Sequence, residues 1–496
     1  MRKRNRSNLK VIFIFGLIFF AIFYIIHSSD SYKKTENLTD YITEVISPTD
    51  EITVPDELRD NVNFWKDIFA NKSSLSVVYF TPNQNINIKQ LELNLDFSLN
   101  NDGLINVIMT SDDSEVAKFN VVDLIDKNNP ESILYLKPIR EKIDEIYDDL
   151  DKKLHDNKTL TEDEHIGYTR GRKEKFEKAW KISGQYIEKI RKIFREENVP
   201  EEIVYLAFTE SAFNLNANSE SNALGIFQMI PKTARTHGLI VNKNIDERRD
   251  PILEARAAAK YLRLLYEEFN HWLFAINAYH SGENNLRKAL AWAQKYYPEK
   301  PNDFEGNLRD YQYVKVVQEF PKDKKFNNGK NFRYGSNSAR YTTLFLAFLE
   351  SKEIFENTVQ KYEPINFTSI EVAYDNDYTE EKRVVIKSGD TLSDLSYYYG
   401  VSVDKIKEWN DMDDSLIRPD DVLNIFVENP PITMSDLVHG SELSDNESSL
   451  LFDYNFSYKN NDTDFESFLN KKIYTKTTLN IPLNTEKKIK NYLSKY

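Results

Sequence analysis

The chain has 496 residues, a formal net charge of -14 and an isoelectric point near 5.2. That acidity argues against nucleic acid as the main partner, because phosphate backbones are held by clustered Lys and Arg; an uncharged polysaccharide remains compatible with it. A hydrophobic content of 40% with 13% aromatic residues supports real cores and excludes a disordered chain, and the absence of Cys removes disulfides, thiolate metal sites and a cysteine-linked lipid anchor.

The length suggests about two to four domains. At the N-terminus Arg2, Lys3, Arg4, Arg6 and Lys10 precede an uninterrupted apolar run, Val11 to Ile26. Positive charge ahead of such a run holds the N-terminus in the cytoplasm and exports the rest of the chain. The run is slightly short for a span of roughly 20 residues and slightly long for a cleavable core, and no small-x-small cleavage site lies beyond it. Residues 1–27 therefore read as a signal anchor, with a removed signal peptide as the alternative. Residues 28–55 are polar and aperiodic, a linker with a reach of roughly 30 Å.

Residues 56–165 read as a small α+β accessory region. Leu58 to Ala70 is amphipathic, with Phe64, Trp65, Ile68 and Phe69. Alternation over Leu91–Phe97 and Leu104–Met109, with Asn100-Asn101-Asp102-Gly103 between, signals a hairpin. The turn faintly resembles a calcium loop, but Met109 stands where the bidentate carboxylate belongs, so no calcium is expected.

Gly171 to Glu197 reads as one long helix with Tyr186, Ile187, Ile190, Ile193 and Phe194 on a stripe, ended by Asn198. Pro200 suits the first position of the next helix, whose apolar face (Ile203, Val204, Leu206, Ala207) leads to Glu210 among Thr209, Ser211, Ala212 and Phe213. A carboxyl in such surroundings resists ionisation near neutral pH and can act as a general acid; the bland alternative is a helix-end glutamate facing water. Asp250-Pro251 is an N-cap and first-position pair, and Ala255, Ala257, Ala258 and Ala259 behind it permit close packing. Ser338 to Leu349 reads as the last core helix of a mostly α unit.

Past Glu363 the composition shifts. Arg383–Lys387 is a short strand, Gly389-Asp390-Thr391-Leu392 leads into a helix through Tyr399, Val401–Asn410 forms a second helix, and Val422–Val427 a closing strand. Residues 433–485, with Gly440-Ser441-Glu442-Leu443, Phe468-Leu469-Asn470 and Leu479-Asn480-Ile481-Pro482-Leu483, read either as a degenerate second copy of this unit or as a divergent tail.

Four motifs stand in order: Glu210-Ser211-Ala212-Phe213-Asn214, then Gly225-Ile226-Phe227-Gln228-Met229-Ile230-Pro231, then Asp246-Glu247-Arg248-Arg249-Asp250-Pro251, then Asn277-Ala278-Tyr279-His280-Ser281-Gly282. Together they resemble the lytic transglycosylase (SLT) domain of bacterial peptidoglycan remodelling enzymes, in the membrane-bound murein transglycosylase D branch, with a fold similar to goose-type lysozyme. The resemblance covers about residues 170–352. Residues 380–428 resemble a LysM module, a βααβ unit that binds N-acetylglucosamine-containing glycans, with Asp420 where the family often has glycine. The expected fold class is thus multidomain: a mainly α lysozyme-like catalytic domain, an α+β N-terminal accessory region and a βααβ LysM module.

The resemblance implies non-hydrolytic cleavage of the β-1,4 bond between N-acetylmuramic acid and N-acetylglucosamine, leaving a 1,6-anhydro end, with Glu210 as general acid and then base. It implies that Tyr279 holds the catalytic carboxyl through its hydroxyl, that Ser219 and Gln228 make polar contacts to sugar, and that Asn277 belongs to the same turn. Phe227 either stacks on a sugar face or packs in the core. His280 departs from the family pattern, where many relatives carry asparagine; it is a substrate contact, a source of pH dependence, or an exposed ring. Glu220, in a polar loop, is expected to be solvated, and Asp246 and Asp250 are explained by ion pairing and capping. The seven histidines show no H-E-x-x-H spacing and no Walker or G-x-S-x-G pattern occurs, so no metal and no cofactor are expected. The expected partners are peptidoglycan strands and, through the anchor, the inner membrane, which places the protein on the periplasmic side of the envelope. The rival readings are a hydrolytic muramidase on the same fold and a wall-binding scaffold with a decayed site.

Overall fold

The computed structural model describes residues 52–496 apart from 82–85, 93, 100–104, 112–113, 122–136, 159–165, 321–335, 374–378, 431 and 460–462. The expected anchor and nearly all of the expected linker lie outside the described residues. No described helix is long and apolar enough to cross a membrane.

The chain begins with α1 (Arg59–Ala70), then strands β1 (Ser76–Thr81), β2 (Ile86–Glu92), β3 (Asn94–Leu99), β4 (Ile105–Ser111) and β5 (Ser114–Val121), helix α2 (Lys137–Asp156) and strand β6 (Gly167–Arg170). Two antiparallel three-stranded sheets result, in the orders β2-β1-β6 and β3-β4-β5. The hairpin expected from alternation is β3–β4, with Leu99 opposite Ile105. Helix α1 does not belong to a separate accessory unit. Its Val62, Trp65, Ile68 and Phe69 are buried in one core with the later helices, and Phe80 of β1 packs on its Phe64 and Trp65 at 5.0 and 5.9 Å in that same core.

Those helices are α3 (Lys173–Ser183), α4 (Ile187–Glu196), α5 (Leu206–Ser211), α6 (Pro231–Thr236), α7 (Pro251–Phe269), α8 (Trp272–Ser281), α9 (Glu283–Tyr296), α10 (Leu308–Gln318) and α11 (Ser336–Thr358). The single long helix expected over 171–197 is broken at Gly184. The segment carrying Tyr362 runs so close there that a Cβ would meet the Tyr362 carbonyl at 2.4 Å, and the Tyr362 N–H donates to the Lys181 carbonyl at 2.9 Å, beside the Gly184 N–H at 3.3 Å. Pro200 caps a 3-10 turn, Glu201–Tyr205, rather than occupying a first helical position; α5 then runs on from that turn. Asp250 caps α7 as expected, accepting from the Ile252 and Leu253 N–H groups at 2.9 and 3.0 Å. Aromatic rings join α5 to α11: Phe208 lies 4.2 Å from Phe348, stacked, and both are buried. That contact fixes which residues of α11 face the end of α5.

The C-terminal part contains β7 (Phe367–Glu371), β8 (Thr379–Val385), α12 (Leu392–Tyr399), α13 (Val403–Trp409), β9 (Val422–Glu428), α14 (Met434–Gly440), α15 (Asp445–Tyr454), α16 (Phe465–Leu469), β10 (Thr478–Pro482) and α17 (Glu486–Leu493). β8 pairs with β9 around α12 and α13, with a small core of Ile386, Leu392, Leu395, Ile406, Leu423 and Ile425. Asp420 adopts φ 74°, the left-handed geometry that Asp tolerates better than most residues. One pairing was not expected: β10 joins β7, which precedes the LysM-like unit in sequence.

The two C-terminal units share an internal bridge. In the first, Asn410 Nδ2 donates to the carbonyls of Ile406 and Asn424, both at 2.8 Å, and the Asn424 N–H donates back to Asn410 Oδ1 at 2.7 Å. In the second, Asn455 Nδ2 donates to the carbonyls of Leu451 and Asn480 at 2.6 and 2.8 Å, and the Asn480 N–H returns to Asn455 Oδ1 at 2.9 Å. Their first helices are capped by Thr391 and Thr433, each accepting from the Asp three residues on; their second helices are capped by Ser402 and Ser444. Thr433-Met434 thus opens a helix in the same way as Thr391-Leu392, while Gly440 and Ser441 stand at the end of that helix.

Candidate active site

Glu210 sits in the last turn of α5, where the chain must leave the helix abruptly. Ala212 and Phe213 both take φ 52°, and the Ala212 and Phe213 N–H groups fold back to the Phe208 and Ala207 carbonyls. Phe213 is thereby driven into the core while the Glu210 carboxyl is left at the floor of a cleft of about 420 Å³. Asn214, Asn216, Ser219, Gln228, Arg172 and Lys175 stand on its walls. Among the described lining residues Glu210 is the only carboxylate.

Burial pushes the Glu210 carboxyl up from the ordinary 4.5 to about 7, against a smaller downward pull from one hydrogen bond. The donor of that bond is the hydroxyl of Tyr341, on α11. This corrects the expectation for Tyr279. Its hydroxyl donates to the Phe227 carbonyl at 2.9 Å, so it fixes the 225–229 loop beside the cleft instead of the carboxyl itself. Tyr341 lies in the run Ser338–Leu349, which the sequence marks only as a core helix; a Tyr next to Arg340 in an apolar run was the available signal.

The remaining candidates divide by burial. Ser219 and Gln228 line the cleft. Gln228 takes φ 52°, and its Nε2 donates to the Gly225 and Ala217 carbonyls at 2.8 and 3.3 Å; Ser219 Oγ accepts from the Ala223 N–H at 3.0 Å. Phe227 is fully buried and stacks on Phe194 at 5.7 Å, so its ring is core and cannot meet a sugar face. Asn277 is also buried: its Nδ2 donates to the Ser338 carbonyl at 3.0 Å and to Thr342 Oγ1 at 3.3 Å, tying α8 to α11. That occupies it as a helix tie and keeps it from direct substrate contact. His280 is exposed along one edge, and its ring lies flat on Tyr341 with centroids 4.0 Å apart.

A residue not anticipated holds the 225–229 loop from behind. Glu254, on α7, is fully buried, receives the Met229 N–H at 3.5 Å, and its carboxyl is pushed far above the usual range by desolvation. Gly225 makes the approach possible: at φ 87° a Cβ would stand 2.2 Å from the Arg248 carbonyl and 2.3 Å from Glu254 Oε2. Asp246 pairs with Arg248 at 2.7 Å, and Glu220 is exposed, as expected of both. Among the described residues no group of three or more His, Asp or Glu side chains is placed to hold a metal.

The protein thus combines a mainly helical unit, whose cleft holds a buried carboxyl, with a smaller βααβ unit that follows it. Residues 187–301 match the transglycosylase SLT domain and residues 384–426 the LysM domain. The chain thus carries an SLT-family lytic transglycosylase domain with a C-terminal LysM module. It is 28% identical over 279 aligned residues to the membrane-bound lytic murein transglycosylase D of Escherichia coli K12, an alignment that takes in 47% of this chain and 61% of that protein. The same protein of Escherichia coli O6:H1 gives the same figures. The chain accordingly spans 61% of the length of these curated relatives. The crystal structure of the 70 kDa soluble lytic transglycosylase of Escherichia coli superposes with a TM-score of 0.26 at 19% identity, over 34% of this chain and 24% of that one, too little overlap to inform the site.

Proposed function

We propose that the protein is a peptidoglycan lytic transglycosylase with Glu210 as its single acid and base. The observation that carries this reading is a cleft carboxyl, pushed up to about 7, standing without a carboxylate partner among the described residues of the cleft. Hydrolytic glycosidases generally use two carboxylates flanking the bond. A lone acid suits a reaction that consumes no water. Protonated Glu210 gives its proton to the oxygen that leaves C1 of N-acetylmuramic acid as the glycosidic bond breaks. The resulting carboxylate takes the proton of the muramic C6 hydroxyl, whose oxygen bonds to C1 and closes the 1,6-anhydro ring. The proton lost is regained, and the substrate's own 2-acetamido group shields the cationic carbon in place of a second carboxylate.

Tyr341 in this reading holds the carboxyl in place, and Ser219 and Gln228 offer polar groups to the sugars. Tyr279 and Glu254 act one layer back, by fixing the loop that carries Gln228. Residues 1–27 hold the enzyme at the inner membrane, and the LysM module at 380–428 keeps it on the wall.

The duplicated Asn bridge and matching caps support a second LysM-like unit, formed by 367–372 and 432–496, into which the first is inserted. This second unit faces the catalytic unit. Asn480 Nδ2 donates to the buried Asp250 Oδ2 at 2.6 Å, and Ile245 enters its core, so its role is to bracket the wall-binding module onto the catalytic one.

Digestion of purified peptidoglycan by the soluble portion begun after Ser28, with products weighed by mass spectrometry beside Glu210→Gln, tests the reading. Anhydro-muropeptides that vanish in the variant are expected. Reducing-end products would replace it with a muramidase, and binding without cleavage with a scaffold.

A further inference from the structure

Helix α8 carries Asn277, Tyr279 and His280 within about one turn, and its 3.6-residue period sorts them. Asn277 and His280, three apart, lie on one face; Tyr279 points another way, to the Phe227 carbonyl. The Asn277–His280 face meets α11, whose Ser338, Tyr341 and Thr342 share a face at spacings of three and four. Asn277 takes the Ser338 carbonyl and Thr342 hydroxyl, and His280 takes the ring of Tyr341. The two contacts are successive rungs of one helix–helix seam. The upper rung ends at Glu210, because the Tyr341 hydroxyl donates to its carboxyl.

We propose that His280 is a positioning residue for Glu210, acting through Tyr341: its imidazole, stacked on the phenol, fixes the plane and place of that ring so that the hydroxyl stays on the carboxyl. The inference rests on Glu210 being the proton donor. The rings are 4.0 Å apart and within 8° of parallel, which is full face contact. A phenolic O–H lies in the plane of its ring, so fixing the plane aims the hydrogen. An aromatic side chain's terminal torsion is otherwise broad, and the His280 imidazole is the flat surface against which the plane of the buried Tyr341 ring is set. Asparagine, with no ring, gives a phenol no such surface.

The groups that face His280 among the described residues are Tyr341 on α11 and, beyond it, Glu210 on α5, with Tyr279 adjacent on α8 itself. Both tyrosines are held well above their ordinary range by burial and by Glu210, and so are neutral. Burial also lowers the imidazole below its ordinary value, so near neutral pH the ring that stacks is uncharged. A neutral ring leaves Glu210 its proton, where an imidazolium so close would favour the carboxylate.

The test is steady-state turnover of purified glycan strands by His280→Ala, His280→Asn and His280→Phe, each also in a Tyr341→Phe background, with wild type and Glu210→Gln alongside and thermal melts as a folding check. His280→Ala and His280→Asn are expected to lower kcat about tenfold or more with KM within about twofold, as for a misplaced catalytic group. His280→Phe restores kcat, because a flat ring suffices. In the Tyr341→Phe background His280→Ala has no further effect, because the hydroxyl through which it acts is gone. Undiminished kcat in His280→Ala and His280→Asn, or effects of the two positions that multiply, would overturn the proposal. An inactive wild type, or an active Glu210→Gln, would instead remove the reading on which it rests.

Discussion

A carboxyl kept protonated by burial destabilises the fold once it ionises, and Glu210→Gln measures this directly. The unfolded chain releases the Glu210 proton near 4.5, the folded one near 7. Between those values the native state binds more protons, so the stability contributed by the raised value is present below 4.5 and is lost as pH rises through 7. At roughly 1.4 kcal/mol per pH unit the loss amounts to about 3 kcal/mol by pH 8.5. Gln keeps the shape and still accepts from Tyr341, but it never ionises. Glu210→Gln is therefore expected to raise the melting temperature of the catalytic unit by several degrees at pH 8.5, at roughly 2 °C or more per kcal/mol, and to leave it nearly unchanged at pH 4.5. Scanning calorimetry at the two pH values reads both. An equal gap at both, or a larger one in acid, would refute the argument that desolvation of Glu210 sets its proton affinity.

Tyr341→Phe removes the one hydrogen bond that draws the Glu210 value down. The alkaline limb of kcat/KM is expected to move to higher pH while kcat falls about tenfold, both read from a pH–rate profile. Asn480→Ala deprives the buried Asp250 of a donor at 2.6 Å, on the residue that caps α7. A cost of about 1–3 kcal/mol in urea denaturation is expected, with earlier proteolytic release of the C-terminal units if the bracket reading holds.

Local patterns carried most of the helical unit into view from the sequence: the Asp250-Pro251 cap, the alanines of α7, and the hairpin of β3 and β4. What was illegible depended on distant segments. The break at Gly184 is imposed by the Tyr362 backbone, which lies almost 180 residues away in sequence. The assignment of the carboxyl's partner to Tyr279 failed because two tyrosines stand near one carboxyl, and packing of α11, through contacts such as Phe208 on Phe348, brings Tyr341 to Glu210. Phe227 and Asn277 stand within site motifs yet face inward, since a motif records position along the chain and not direction. Glu254 was invisible as a loop support because a glutamate in a first helical turn is ordinarily read as an exposed favourable charge. The pairing of β10 with β7 was illegible because the two strands stand on either side of the LysM module in sequence.

The central claim, one acid and no water, is tested most directly by digesting purified glycan strands in isotopically heavy-oxygen water and weighing the new ends. The account predicts anhydro ends with no label, formed by wild type and absent with Glu210→Gln. Labelled reducing ends formed during the reaction would contradict it, since they require a water activated by a second group.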